Sequence, residues 1–119
     1  HRQSSAASDV YKRQGLGPIG ATQKALARAK LSIKDIDIVE LNEAFASQSL
    51  ACIKDLQIDP SKVNIDGGAL ALGHPLGATG ARITGKVAQL LKRENKKYAL
   101  ASQCIGLGMG IATIIESVD

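Results

Sequence analysis

The sequence predicts an α/β domain whose helices lie against a mixed β-sheet. Three observations lead to this prediction: strand-like and helix-like segments alternate, the helix-like segments have apolar faces, and a glycine-rich turn joins the last two strand-like segments. Because so short a connection joins antiparallel strands, the sheet is expected to end in an antiparallel hairpin. The chain of 119 residues, 45% of them hydrophobic, has room for one such domain with its own core.

The first predicted elements are a helix, a turn and a strand. The helix begins near Pro18, which suits a first helical turn. Its apolar face comprises Ala21, Ala25, Leu26 and Ala29. Residues 32–35 form a capped turn, and residues 36–41, rich in Ile and Val, form a strand. Asp37 and Glu40 interrupt that strand, so we expect one of its faces or its ends to contact water.

A second helix is predicted over residues 43–56, after which Pro60 breaks the chain. Its buried side comprises Phe45, Cys52 and Leu56. The last helix, over residues 76–93, has the strongest apolar period. Its buried stripe comprises Ile83, Val87, Leu90 and Leu91. Its glycines at positions 77, 80 and 85 each cost about 1 kcal/mol relative to alanine, so we expect a backbone or a ligand to approach closely there.

Shorter segments complete the predicted order. Residues 63–66 form a brief extended piece. Residues 98–103 and 111–116 are the strands of the final hairpin, and residues 106–110 are its glycine turn. The sequence contains no internal repeat.

Composition excludes several classes of function. The net charge of +4 has no single focus: residues 1–14 carry three basic and one acidic residue, and the remainder carries 12 basic and 10 acidic residues, so each part is +2. No basic stripe alternates with aromatic residues, which argues against nucleic-acid binding. No apolar run approaches the roughly 20 residues of a membrane span. Cys52 and Cys104 match no disulfide or metal spacing, so we expect no metal and a reducing compartment, the cytoplasm.

The segment 1–14 is interpreted apart from the domain at 15–119. It begins without Met and has no apolar periodic face. Its Ser, Arg and Lys residues are typical of a transit peptide, but Asp9 and the short length argue against one. We interpret residues 1–14 as an unrelated or disordered tail, and residues 15–119 as part of a larger domain.

His74 is the one histidine outside that tail, and it lies between Gly73 and Pro75 just before a predicted helix N-terminus. The positive end of a helix disfavours an imidazolium. A neutral imidazole that donates an N–H to a developing oxyanion fits this place. The structural alternative is a loop histidine that merely hydrogen-bonds to its neighbours.

Cys104 ends a strand and precedes the glycine turn. A thiol in this position is accessible to substrate, and the N–H groups of such a turn can point at an oxyanion. The alternative is a small buried apolar residue, which is what most free cysteines are. Cys52, which lies mid-helix with no glycine nearby, is assigned to the core.

Asn42 lies where a strand ends and a helix begins. It is either the helix N-cap, a common use of Asn, or the holder of a water that completes an oxyanion site with His74. The glycines between residues 67 and 80 do not indicate a nucleotide-phosphate loop, because neither the Gly-Lys-Ser/Thr ending nor a dinucleotide spacing is present.

Taken together, in order and spacing, these blocks resemble the C-terminal domain of the thiolases, the acetyl-CoA acyltransferases, over about residues 15–119. The blocks are Gly15-Leu16-Gly17-Pro18, Leu41-Asn42-Glu43-Ala44-Phe45, Gly67-Gly68-Ala69, Ala71-Leu72-Gly73-His74-Pro75-Leu76-Gly77 and Cys104-Ile105-Gly106-Leu107-Gly108. The resemblance implies a layered thiolase-like C-terminal half, truncated at its N-terminal side.

The resemblance also implies a role for each matching residue. His74 would contribute to the oxyanion hole of the thioester and activate the nucleophile, and Asn42 would hold the water that shares this hole. Cys104 would be the acid/base at the acetyl α-carbon. The backbone N–H of Gly106 would help form a second oxyanion hole. The implied reaction is thiolytic cleavage of 3-ketoacyl-CoA or the reverse Claisen condensation.

Coenzyme A and acyl-CoA are the implied partners, as substrates, and no cofactor is expected. Ala44 and Phe45 would flank the pantetheine arm. The acyl-enzyme cysteine of the family comes from the N-terminal half, and neither Cys52 nor Cys104 matches it. We therefore expect a fragment that does not turn over alone, taken from an enzyme that is a homodimer or homotetramer.

Each rival function is distinguished from that of a thiolase by one feature of the sequence. A ketoacyl synthase uses paired histidines, whereas only His74 is available here. Noncatalytic acyl-CoA-binding or lipid-binding relatives depart from the pattern at the Asn-Glu block or at the last cysteine, and this chain keeps both. An inert fragment is a third possibility. Leu107, where many relatives have glycine, favours a degradative over a biosynthetic thiolase.

Overall fold

The structure, a computed structural model, describes residues 15–118. Its helices and strands are α1 (Gly17–Ala29), β1 (Ile38–Leu41), α2 (Ala46–Asp55), α3 (Ala69–Leu72), α4 (Thr79–Glu94), β2 (Tyr98–Cys104) and β3 (Gly110–Glu116). Single 3-10 turns lie at Ile33–Asp35 and Pro60–Lys62. The predicted tail at residues 1–14 lies outside the described residues, so that assignment stays a prediction.

The strands form one three-stranded mixed sheet in the order β1-β2-β3. β1 runs parallel to β2, with Leu41 opposite Ser102. β2 and β3 are antiparallel, from Tyr98 opposite Glu116 to Cys104 opposite Gly110. The predicted mixed sheet and its terminal hairpin are therefore confirmed. Because β1 and β2 are parallel, their carboxyl ends meet at the same edge of the sheet.

Helices cover both faces of the sheet, and the alternation along each strand divides the core between them. On one face, Val39, Leu41 and Leu100 pack with Leu26 of α1 and Cys52 of α2. The core of the other face comprises Ile38, Ala99 and Ala101 of the sheet with Ile83, Val87, Leu90 and Leu91 of α4. The predicted stripe of the last helix is thus confirmed, and the domain has three layers.

The last helix begins at Thr79, later than the sequence predicts. The turn before it is closed by hydrogen bonds from the Ala78 and Thr79 N–H groups to the Pro75 carbonyl, both 2.9 Å. Gly77 therefore lies outside the helix. A Cβ at Gly80 would meet Gln103 Nε2 at 3.2 Å, whereas Gly85 has nothing within 4 Å. Among these three glycines only Gly80 has a close neighbour, and that neighbour is a side chain rather than the expected backbone or ligand.

The second helix begins at Ala46, and Phe45 is its extended N-cap residue. The prediction of a helix from residue 43 with Phe45 on its buried side was wrong, since Phe45 is 72% exposed. The physical reason is that the Glu43 carboxylate accepts hydrogen bonds from Asn64 and from the Leu70 backbone. These long-range contacts hold Glu43 beside a distant segment, and the helix begins three residues later.

The first strand is shorter and drier than predicted. It begins at Ile38, and all four of its residues are buried. Glu40 is only 1% exposed because α4 covers its face of the sheet, so the expectation of a wet face at Glu40 was wrong. Asp37 does lie at a strand end, where its carboxylate accepts the backbone N–H groups of Lys97 and Tyr98 at 3.0 Å each.

The buried face of the first helix matches the predicted one in part. Its buried residues are Pro18, Thr22 and the predicted Leu26. Of the other predicted residues, Ala21 and Ala25 are half-buried, and Ala29 is exposed. The polar Thr22 is tolerated there because its hydroxyl hydrogen-bonds to the Ser102 hydroxyl at 3.2 Å. Nowhere in residues 15–118 does a helix have the length and apolar character that crossing a membrane requires.

The two-sided core makes a stability prediction. Leu100 is fully buried, so Leu100→Ala should lower the free energy of unfolding by about 2–5 kcal/mol. Leu76 is 83% exposed, so Leu76→Ala should change it by less than about 0.5 kcal/mol. Urea unfolding followed by circular dichroism measures both. Equal effects, or an unaltered chain that melts without a cooperative transition, would contradict this description of the core.

Candidate active site

The candidate site lies at the sheet edge where β1 and β2 end. Asn42 directly follows β1, and its N–H donates to the Ser102 carbonyl of β2 at 2.9 Å. Cys104 is the last residue of β2. His74 comes from the loop between α3 and α4. Carboxyl ends of parallel strands are where α/β proteins usually place their sites, and here two of the predicted catalytic residues stand at such ends.

The structure brings Asn42 and His74 together. The Asn42 Nδ2 atom lies 3.3 Å from His74 Nε2, and the other ring nitrogen, Nδ1, lies 2.7 Å from Thr79 Oγ1. Asn42 is 1% exposed and does not cap α2, so the N-cap alternative was wrong. Among the described residues its Oδ1 atom has no hydrogen-bond partner. A buried amide oxygen needs one, so Oδ1 is available to a water or to a ligand.

The end of β1 is tied to the loop that leads to His74 by the side chain of Asn64. Its Oδ1 accepts the Leu41 N–H and its Nδ2 donates to the Leu41 carbonyl, both at 2.9 Å. Nδ2 also donates to Glu43 Oε1 at 2.9 Å, and Glu43 Oε2 accepts the Leu70 N–H at 2.8 Å. A Cβ at Gly68 would overlap the Glu43 carboxylate. We call this set of contacts the Asn64 clamp.

Sequence reasoning missed the clamp. The one visible signal was the predicted extended piece at residues 63–66, which is present as a single bridge between Val63 and Val39. Asn64 follows that bridge at a positive φ of 48°, a conformation that Asn adopts more readily than most residues. Nothing in the local pattern identifies its partners, because they lie more than 20 positions away.

A cavity of about 470 Å³ adjoins the end of β2. The predicted residues Ala44, Phe45, Cys104 and Gly106 all line it. Asn42 and His74 are not among its lining residues, although Asn42 is only two positions before Ala44. The structure thus presents one hydrogen-bonded pair and one thiol-lined cavity, joined through the segment that follows β1.

The turn after Cys104 has an unusual backbone. Gly106, Leu107 and Gly108 all have positive φ, at 86°, 50° and 75°. The Met109 N–H closes the turn by donating to the Gly106 carbonyl at 2.9 Å. Such a succession of left-handed residues is strained for Leu107 and free for the two glycines, which explains the glycine pattern that sequence reasoning noted.

The start of α1 packs directly on this turn. A Cβ at Gly17 would overlap the Met109 carbonyl, and a Cβ at Gly110 would overlap the Gly17 carbonyl carbon. Only two glycines allow the backbones to approach in this way. This contact explains why the Gly15-Leu16-Gly17-Pro18 block belongs with the cysteine block.

The two cysteines have different environments. Cys52 is fully buried, and its sulfur lies 3.4 Å from Gln48 Nε2 and 3.7 Å from the Gly15 carbonyl oxygen. Burial raises the pKa of the Cys52 thiol, so it is a poor source of thiolate. The prediction of Cys52 as a core residue is confirmed. Cys104 is only partly buried, as a reacting thiol requires.

Glu40 is a buried ionisable residue that sequence reasoning did not single out as such. Burial raises its pKa to about 7, against the opposing attraction of Lys86 and Arg82 on α4. Its Oε1 atom has no hydrogen-bond partner among the described residues. Lys86 is instead paired with Asp66 at 2.6 Å. Within residues 15–118, no group of His, Cys, Asp and Glu residues has the arrangement of a metal site.

Comparison with known protein families gives a match over nearly the whole chain. The model of the family described as "Thiolase, C-terminal domain" matches residues 2–117. The 3-ketoacyl-CoA thiolase of Vibrio vulnificus is 59% identical over 105 residues, which are 86% of this chain and 27% of that protein. The 3-ketoacyl-CoA thiolase of Shewanella denitrificans is 55% identical over 107 residues, 87% of this chain and 28% of that protein. The chain therefore spans little more than a quarter of the length of these relatives.

A solved structure has the same fold. The crystal structure of human mitochondrial 3-ketoacyl-CoA thiolase matches with a TM-score of 0.87 and 54% sequence identity, over 89% of this chain and 27% of that one. A crystal structure of the same human enzyme in complex with CoA matches equally well. The predicted layered α/β fold is thereby confirmed.

The environment of Glu40 makes a prediction about pH. Its pKa is about 7 in the folded chain and about 4.5 when unfolded. The folded chain therefore binds this proton more tightly than the unfolded chain does. The resulting contribution to the free energy of unfolding is fully present below pH 4.5 and is lost as the pH rises through 7. The loss should reach about 3 kcal/mol. Glu40→Gln, which cannot ionise, should remove this part of the pH dependence.

Urea unfolding of both chains at intervals from pH 5 to pH 8 measures it. The control is Glu116→Gln, an exposed carboxylate at the end of β3, which should keep the dependence of the unaltered chain in this range. An identical pH profile for Glu40→Gln and the unaltered chain would contradict the assignment.

Proposed function

We propose that this chain is the C-terminal catalytic part of an acetyl-CoA C-acyltransferase. The proposal starts from the family to which the chain belongs, the thiolases, as a C-terminal domain. The reaction is thiolytic cleavage of a 3-ketoacyl-CoA or the reverse Claisen condensation. The observation that carries the proposal is the common location of the Asn42–His74 pair and the Cys104-lined cavity at one edge of the sheet. Imidazole, amide and thiol are the groups that such chemistry needs there.

His74 and Asn42 form the first proposed oxyanion site. His74 takes the proton of the nucleophilic thiol and stabilises the negative charge on the thioester oxygen. Asn42 holds a water through its Oδ1 atom, which is buried and without a partner among the described residues. One oxyanion donor typically contributes a factor of about 10²–10³ in rate, so both groups matter.

Cys104 is the proposed acid/base. In condensation its thiolate removes a proton from the acetyl α-carbon, and the resulting enolate attacks the acyl-enzyme carbonyl carbon and releases the nucleophile as a thiolate. In thiolysis the nucleophilic thiolate adds to the 3-keto carbon, the carbon–carbon bond breaks to leave an acyl-enzyme, and the Cys104 thiol returns the proton to the departing enolate. The thiol of coenzyme A then takes the acyl group and releases the nucleophile. The backbone N–H of Gly106 belongs to the second oxyanion hole, which is supported by its place in the left-handed turn beside Cys104.

Coenzyme A and acyl-CoA are the proposed ligands of the cavity. Ala44 and Phe45 line it together with Cys104, and the 72% exposure of Phe45 leaves its ring available to the pantetheine arm. The human relative has been crystallised with CoA, which supports the same ligand class here. No cofactor or metal takes part in the proposed reaction.

The degradative type of substrate is favoured over the biosynthetic type. The bacterial and human relatives are all named 3-ketoacyl-CoA thiolases, and Leu107 agrees with that preference. A role in fatty acid metabolism follows from such a substrate. A homodimeric or homotetrameric whole enzyme and a cytoplasmic location remain predictions; the matched human enzyme is mitochondrial by its name.

The acyl-enzyme nucleophile is proposed to be neither cysteine of this chain. Cys52 is buried, with its thiol pKa raised, and Cys104 has the acid/base role. The isolated chain is therefore expected to be inactive, and the decisive experiment supplies the rest of the enzyme. Residues 15–119 would replace the matching C-terminal part of the Vibrio vulnificus relative, to which they are 59% identical.

This chimera should cleave acetoacetyl-CoA in a coenzyme-A-dependent manner, measured by the loss of substrate absorbance. In the chimera, Cys104→Ala should lower kcat by about 10²–10⁴, the usual contribution of a general acid/base. Cys52→Ala, the same change at a core thiol, is the matched control and should retain most of the activity.

Three outcomes would count against the proposal. Thiolysis by the isolated chain would show that it holds its own nucleophile. A folded chimera without activity would favour the noncatalytic acyl-CoA-binding alternative. Equal activity of the Cys104→Ala and Cys52→Ala chimeras would remove the acid/base role.

A further inference from the structure

Thr79 contacts the candidate catalytic histidine, and the proposed function gives it no role. It is the first residue of α4 and is 1% exposed. Its Oγ1 atom lies 2.7 Å from His74 Nδ1 and 2.9 Å from the Pro75 carbonyl oxygen. These two contacts and the Asn42 contact at Nε2 connect four side-chain and backbone groups in one row.

The direction of the hydrogen bonds follows from the single hydrogen of the Thr79 hydroxyl. A carbonyl oxygen can only accept, so the bond to Pro75 requires the Thr79 O–H as its donor. Hydrogen bonds of this kind, from Thr to the carbonyl four residues earlier, are common in helices. With its hydrogen used there, Oγ1 can only accept from His74, and Nδ1 therefore carries the proton.

The contact at the other ring nitrogen agrees with this arrangement. A neutral imidazole has one N–H, so a protonated Nδ1 leaves a lone pair on Nε2. Nε2 faces the Asn42 amide nitrogen, a donor, at 3.3 Å. The opposite tautomer would direct two N–H groups at each other unless the Asn42 amide were rotated. Every contact is satisfied when the Asn42 amide donates to His74, His74 donates to Thr79, and Thr79 donates to the Pro75 carbonyl.

We propose that Thr79 is a positioning residue that holds neutral His74 as the Nδ1–H tautomer, with Nε2 as a base. The sequence had predicted that the neutral ring donates an N–H to an oxyanion. In this tautomer the ring nitrogen that faces Asn42 has no hydrogen to donate until it has taken one.

The consequence for catalysis rests on the proposed function. Nε2 first takes the proton of the nucleophilic thiol, which produces a thiolate and an imidazolium. Only then does the new Nε2–H donate to the thioester oxygen. The Nδ1–H meanwhile keeps its hydrogen bond to Thr79 Oγ1. The base step and the oxyanion step of His74 are thus performed by one nitrogen in a fixed order.

The tautomer can be measured on the isolated chain without any activity. In the ¹⁵N-labelled chain at alkaline pH, long-range ¹H–¹⁵N correlation of the imidazole should show a protonated Nδ1 and an unprotonated Nε2. The chain has two histidines, and a His1→Gln variant assigns the signals of His74. Thr79→Val removes the hydroxyl at similar shape and should change the tautomer ratio by about fivefold or more, the equivalent of one net hydrogen bond. Thr79→Ser should restore it.

Nε2–H in the unaltered chain would overturn the proposal without reference to any variant. It would also be overturned if Thr79→Val kept the tautomer while its backbone amide spectrum remained native. If Thr79→Val does not fold, Thr79→Ser and the unaltered chain still decide, because both should show the same protonated Nδ1. The proposed function fails on a different observation, the activity of the Cys104 chimera, so the two failures are distinguishable.

Discussion

The candidate site depends on the Asn64 clamp. A strand end and a loop far along the chain are held together by one amide that pairs with the Leu41 backbone in both directions and with the Glu43 carboxylate. The clamp fixes the segment after β1, so that Asn42 meets His74 on one side and Ala44 lines the thiol cavity on the other. It also holds Glu43 outside the helix, which the sequence predicts from residue 43 and which begins at Ala46.

The clamp and the glycine contact between α1 and the Cys104 turn perform related tasks. Both bring backbone segments from distant parts of the sequence to one sheet edge, and both rely on positions where a Cβ would collide, at Gly68 in one case and at Gly17 and Gly110 in the other. The glycine-rich blocks thus serve assembly as well as access for substrate. Burial of Glu40 beneath α4 belongs to the same packing, because Lys86 and Arg82 approach it from that helix.

The sequence predicts best where a local period decides the structure. The stripe of α4 and the terminal hairpin were predicted because apolar spacing and a glycine turn are local signals. The start of α2, the burial of Glu40 and the roles of Asn64 and Thr79 were not predicted. Each is decided by partners in other segments or by the direction of a single hydrogen bond, and a sequence pattern does not contain that information. Asn42, His74 and Cys104 were candidates from their chemistry and position, each with a structural alternative, and the resemblance to a family implied their roles. The structure adds which of them touch.

In the proposed function this chain supplies proton transfer and oxyanion stabilisation, and neither of its cysteines is the acyl-enzyme nucleophile. Mass spectrometry of the chimera after brief incubation with acetyl-CoA can locate the acetyl group on a peptide. We expect acetylation of a cysteine in the part contributed by the Vibrio vulnificus relative, with the Cys104 peptide unmodified. Stable acetylation of Cys104, in the chimera or in the isolated chain, would contradict it.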